Sequence, residues 1–105
     1  MAQCKNCGEK GWFLRLSEFR LCNACHPHIA ADIKRRMDFI FKESADIVNH
    51  PLSTQAHRLD PIKRNIDALC EYEKKSIVNC AVELLDMYNS LHEEIIAAVA
   101  KEISE

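Results

Sequence analysis

Four of the six cysteines in this 105-residue chain fall within its first 25 residues, as two Cys-x-x-Cys pairs. Cys4 and Cys7 form the first pair, and fourteen residues separate it from Cys22 and Cys25. Two residues between sulfurs let a backbone knuckle wrap until both thiolates point at one ion. Two such knuckles about 15–20 residues apart have the spacing of a structural zinc site, and this chain sits at or just below the lower edge. Zinc takes four tetrahedral N or S ligands, and four thiolates complete its shell with no position left for water. A site of that kind fastens a fold and does not catalyse. Iron in a rubredoxin-like shell would use the same four sulfurs and is the alternative metal. A redox pair fits less well, because two matched pairs are present where one reactive thiol is needed. Cys22-Asn23-Ala24-Cys25-His26 also matches the haem-attachment signature, but that reading leaves Cys4 and Cys7 unexplained.

The remaining candidates are weaker. His26 or His28 could complete a Cys3His shell, but four thiolates already suffice, and both histidines read as exposed residues of a first helical turn. His50, His57 and His92 show no ligand spacing. Cys70 and Cys80 stand alone in helical sequence and read as small buried hydrophobes. No Gly-rich phosphate loop, nucleophile elbow or His-Glu-x-x-His is present, so no catalytic role is expected.

Charge is divided along the chain. Residues 1–36 carry +4 by count and residues 37–105 carry −6, which leaves −2 in total. The cations of the first part are Lys5, Lys10, Arg15, Arg20, Lys34, Arg35 and Arg36, and Trp12, Phe13 and Phe19 could stack on bases. Four thiolates around one divalent cation would cancel two of those charges. Nucleic-acid binding is therefore the alternative function, behind an interaction module that presents its helices to a protein partner or a second copy.

The elements must place the cysteines. Residues 1–28 read as a zinc knuckle and a short β-hairpin leading into helix, with strands Trp12–Leu16 and Phe19–Cys22 around Ser17-Glu18. Helix 1 is expected over 23–49, with Asn23 as N-cap, Pro27 in the first turn and an apolar stripe of Ile29, Ile33, Met37, Ile40, Ala45 and Val48. Pro51 ends it, since the residue before a proline is pushed out of the α region. Residues 50–60 read as a polar connector, and Asp60-Pro61 as the start of a C-terminal helical region over 61–104, either one long helix or two with Ser76 as a cap. Ile62, Ile66, Leu69 and Cys70 give its first part an apolar face. Ile77, Ala81, Leu84, Tyr88, Leu91, Ile95 and Ala98 then follow a heptad seam that Leu85, Ile96, Val99 and Ile103 widen, so this helix packs on more than one neighbour. The fold class expected is mainly α: a small knuckle followed by two or three long helices in a hairpin or bundle.

Cys4-Lys5-Asn6-Cys7-Gly8 followed by Leu21-Cys22-Asn23-Ala24-Cys25 and a helix resembles the treble-clef class of zinc fingers. The same stretch, with Lys10 to Leu16, Arg35-Arg36, Arg58-Leu59, Ala68-Leu69 and Tyr72-Glu73-Lys74, is similar to a small bacterial zinc-finger domain of no assigned activity. The likeness stops before the C-terminal third and implies zinc binding, with no activity attached. The first 20 residues lack the apolar segment of a signal peptide, and no apolar run reaches about 18 residues, so a cytoplasmic protein with no membrane span is expected. In a reducing compartment clustered cysteines are metal ligands more often than disulfides.

Overall fold

The computed structural model describes residues 2–12 and 14–104. It is mainly α, as expected, with a two-strand antiparallel pairing at its N-terminal end. β1 (Ala2–Gln3) pairs with β2 (Lys10–Gly11), Ala2 opposite Gly11 and Gln3 opposite Lys10. Three helices follow: α1 (His26–Asp46), α2 (Leu52–Lys74) and α3 (Ala81–Ser104).

The strands therefore flank the first knuckle: β1 precedes Cys4, and only β2 lies between the two cysteine pairs, outside the expected strands. The chain does reverse at Ser17, where the Arg20 N–H donates to the Ser17 carbonyl (2.9 Å) and the Ser17 N–H to the Leu21 carbonyl (2.9 Å). Arg20 takes a left-handed φ of 62° to complete that turn. The flanks do not continue as a ladder among the described residues, because the Arg20 carbonyl is taken by the Lys5 N–H at 3.0 Å. Of the expected strand Trp12–Leu16, Phe13 lies outside the described residues.

Helix 1 is shorter than 23–49. Cys25, and not Asn23, is its N-cap; Pro27 sits in its first turn, and a 3-10 turn over Ile47–Asn49 closes it before Pro51. Its buried stripe is Ile29, Ile33, Ile40 and then Ile47, while Val48 is exposed. Ala45 is exposed too.

The largest difference is at 50–60. The expected polar connector is the first half of α2, and Pro61 lies inside that helix, not at its start. Asp60-Pro61 imitates an N-terminus, but Pro51 already supplies one, and Leu52, Ala56 and Leu59 carry a four-three apolar spacing straight through to Ile62. The helix interior tolerates Pro61 on its exposed side, and the Asn65 side chain donates to the Pro61 carbonyl at 2.8 Å.

Between 61 and 104 the chain breaks once. Lys75 caps α2, Ser76 takes a left-handed φ of 60°, and α3 begins only at Ala81. The Ile77 N–H reaches the Tyr72 carbonyl (3.0 Å) and the Ser76 N–H the Glu73 carbonyl (2.8 Å), which is a Schellman stop. Ser76 thus ends one helix and does not cap the next.

α2 is the central helix. It packs antiparallel against α1 on one side and against α3 on the other, and α1 and α3 do not approach each other. Its fully buried row is Leu59, Ile62, Ile66 and Leu69. Arg58, Asn65 and Tyr72, seven apart on α2, face α1 and bond Glu43 (3.0 Å), Arg36 (3.0 Å) and Asp32 (2.7 Å). The result is an elongated body of 66 × 18 × 15 Å. No helix in it is long and apolar enough to cross a membrane.

Candidate metal centre

Each cysteine pair is carried by its own knuckle. In the first, the Gly8 N–H returns to the Cys4 carbonyl (3.1 Å) and the Cys4 N–H donates to the Glu9 carbonyl (2.9 Å). Gly8 has φ +79°, a backbone that glycine adopts without the steric cost a side chain brings. In the second, the Cys22 carbonyl accepts the N–H groups of Cys25 (3.1 Å) and His26 (2.9 Å), and the Cys25 carbonyl accepts that of Ile29 (3.1 Å). The second knuckle is therefore the first turn of α1. The last sulfur is held by the same hydrogen bonds that start the helix.

These two knuckles bring the sulfurs of Cys4, Cys7, Cys22 and Cys25 within 4.8 Å of one another. All four cysteines are free thiols; Cys4, Cys22 and Cys25 are buried and Cys7 is exposed. The Sγ atoms of Cys7 and Cys22 are 3.8 Å apart. A tetrahedron with metal–sulfur bonds of about 2.3 Å has edges of about 3.8 Å, so the spacing fits a four-sulfur shell.

The electrostatics ask for a cation. Burial pushes the Cys4 thiol up, but backbone N–H groups of Cys7, Cys22 and Asn6 outweigh it and bring Cys4 down to about 6. Cys7 moves the opposite way. The Glu9 backbone favours its thiolate, yet desolvation and the neighbouring thiols of Cys4, Cys22 and Cys25 push it up to about 12. Cys22 is also raised: the Cys25 backbone favours the thiolate, and desolvation together with the Cys25 side chain overrides it. Four thiolates this close repel one another, and a central divalent cation removes that penalty.

Asn6 and two lysines tie the head to the helices; Asn6 stands in the resembled motif Cys4-Lys5-Asn6-Cys7-Gly8, but no sequence pattern gives it or Lys75 a role at the site. The Asn6 side chain donates to Cys25 Sγ (3.4 Å) and accepts from Lys75 Nζ (3.0 Å). Lys5 Nζ donates to the Ser76 carbonyl at 2.8 Å. Hydrogen bonds of this outer kind orient metal ligands and tune their basicity. His26 is not in the sulfur cluster; its ring stacks on Phe19, with centroids 5.8 Å apart. His28 is exposed. Cys70 and Cys80 are part-buried against the core, and burial raises the Cys70 thiol.

The seven cations named from the sequence do not gather into one free patch. Arg35 and Arg36 pair with Asp32, Lys34 pairs with Asp38 at 3.7 Å, and Lys5 is held by Ser76. Lys10, Arg15 and Arg20 are exposed and have no ion pair among the described residues. Trp12 is 77% exposed.

No family model matches the chain, and no curated protein and no solved structure matches it. What the chain shows on its own is a cluster of four cysteines able to hold a metal ion, joined to a layer of helices.

Proposed function

We propose that the chain is a non-enzymatic zinc-binding interaction module, in which a structural Cys4 site fastens a small treble-clef-like head and the helices present a surface to protein partners or to a second copy. The observation that carries this reading is the sulfur cluster whose second knuckle is also the start of α1. A metal there sets the position of the first helix and, through Asn6 and Lys5, docks the head on the turn between α2 and α3. Four thiolates leave no coordination position for substrate or water, which supports a structural role over a catalytic one. The soluble, cytoplasmic setting expected from the sequence suits reduced thiols. Metal analysis with native mass spectrometry of the purified chain tests the reading. One tightly held zinc per chain is the expected result, one iron would make the site rubredoxin-like, and a chain with no bound metal would overturn the proposal.

Trp12 favours a second reading. It is an exposed aromatic on a head that also carries Lys10, Arg15 and Arg20, which have no ion pair among the described residues, a combination suited to stacking and phosphate contact. Salt-dependent binding of single-stranded DNA or RNA at about 50 mM salt would support it, and no binding there would end it.

A further inference from the structure

α3 carries two heptad seams. The first is the one α2 covers: Ala81, Leu84 and Ile95 are buried along it. The second runs Val82, Leu85, Asn89, His92, Ile96 and Val99, ending at Ile103, with the same three-four spacing on the adjacent side of the helix. The chain covers it only in part: Leu85 and Val99 are half-buried against the core, while Val82 is 60% exposed, Ile96 44% and Ile103 80%. It borders α2 along a shallow groove in which two cavities of about 250 and 340 Å³ lie, one beside Ala56 and Asp60 and the next beside Leu52.

The chain exposes more surface than a compact monomer of its length. The radius of gyration is 17.9 Å, against about 13 Å for a compact chain of this length. The accessible surface is 7064 Å², against roughly 6,000 Å² for a compact monomer of this mass. The excess, roughly 1,000 Å², is of the order each partner buries in a stable interface, about 800 Å².

We infer that a second copy of this chain covers the seam, with its α3 running antiparallel and a two-fold axis passing between Asn89 and His92. This rests on the reading of the helices as an interaction surface. The order of side chains from Val82 to Val99 supports it: two apolar, two polar, two apolar is the same in either direction, with Ile103 beyond the paired stretch. A reversed copy sets Val82 against Val99, Leu85 against Ile96 and Asn89 against His92, so apolar meets apolar and the polar pair meets itself at the axis. Charge selects this direction over the parallel one. α3 holds five acids and one lysine, and Glu83, Asp86, Glu93, Glu94 and Glu102 have no ion pair among the described residues. Parallel copies would set those acids side by side and both basic heads at one end. Antiparallel copies keep those acids apart and set the two heads, with Lys10, Arg15 and Arg20, at opposite ends.

The test is native mass spectrometry and light scattering on the zinc-loaded full chain at micromolar concentration, for the wild type and for Ile96→Glu. The expected result is a wild-type dimer with one zinc per chain. Ile96→Glu, at a half-exposed position that a lone chain tolerates, weakens pairing by about 100-fold or more while circular dichroism and zinc content stay unchanged. Direction is read by mild oxidation in a Cys70→Ala, Cys80→Ala background. Val82→Cys mixed with Val99→Cys forms a cross-linked pair, and Val82→Cys alone does not. A wild-type monomer that holds zinc overturns the pairing and leaves the metal-held module standing. A dimer without metal overturns that module and leaves the pairing. A dimer indifferent to Ile96→Glu, or Val82→Cys linking to itself, overturns the seam or its direction.

Discussion

Cys22 and Asp32 are the residues on which most depends, one in the head and one between helices. Replacing Cys22 with alanine would remove one of the four candidate metal ligands and open the proposed shell. Because the Cys22 carbonyl also caps α1, the expected outcome is loss of the metal and of head structure with most helix content retained, checked by metal content beside far-UV circular dichroism. Asp32 accepts from Arg36, Arg35 and Tyr72 at once. Burial raises its carboxyl, but the hydrogen bonds from Arg36, Tyr72 and Arg35 hold it at about 2. A carboxyl depressed in the folded state stabilises at pH above its unfolded value and loses that contribution as pH falls through its folded value. Discounted for partial exposure, the expected cost of Asp32→Asn is about 1–2 kcal/mol at neutral pH, and the difference from wild type shrinks between about pH 4 and about pH 2. Urea titrations of both proteins across that range check the sign.

At the scale of elements, Ser76 and Pro61 show what the sequence displayed and what it concealed. The buried rows of α1 and α2 were legible because Ile29, Ile33 and Ile40, and Ile62, Ile66 and Leu69, keep their spacing whatever the ends do. The four metal-candidate cysteines were legible because knuckle geometry depends on two intervening residues and little else. Helix ends were not legible where one residue type serves two roles. Serine is a common N-cap, so Ser76 read as a start, but its left-handed backbone makes it a stop in a place where glycine is usual. Ser76→Gly is therefore expected to raise stability by about 0.5–1 kcal/mol, seen as a higher melting temperature with unchanged helix content. Pro61 read as a first-turn proline and is instead interior, where it removes a hydrogen bond to the carbonyl four residues back. Pro61→Ala is expected to stabilise α2 by about 1–3 kcal/mol, the lower end if the helix is already bent to suit it. The strands escaped notice because the short pairing of β1 with β2 is imposed by the first knuckle closing on itself, not by a strand pattern.

On the proposed reading, the molecule as a whole divides into a head that needs a metal and helices that do not. Among the described residues of the head, 2–24, only Cys4, Leu21 and Cys22 are buried, whereas the helices share the continuous row from Ile29 to Ile95. Ordering the head costs about 1–2 kcal/mol per residue, more than that burial returns, and metal binding of about 10–16 kcal/mol in small zinc domains closes the gap. The head's other links to the body are the exposed hydrogen bonds from Lys5 to Ser76 and from Lys75 to Asn6 and the half-buried packing of Leu14, Leu16 and Phe19 against the core, which add little beside the cost of ordering it. Stripping the metal with a chelator should accordingly release the head while the α1–α2–α3 layer persists. Trypsin offers a direct reading, because Lys5, Lys10, Arg15 and Arg20 stand in the head and give it four cleavage points. Cleavage at those residues is expected to accelerate by about 100-fold or more on chelation, as local opening ceases to be costly. Cleavage at Lys63 and Arg64, in the middle of α2, should change little. Equal acceleration at both places would mean that the site holds the whole molecule and not its head alone.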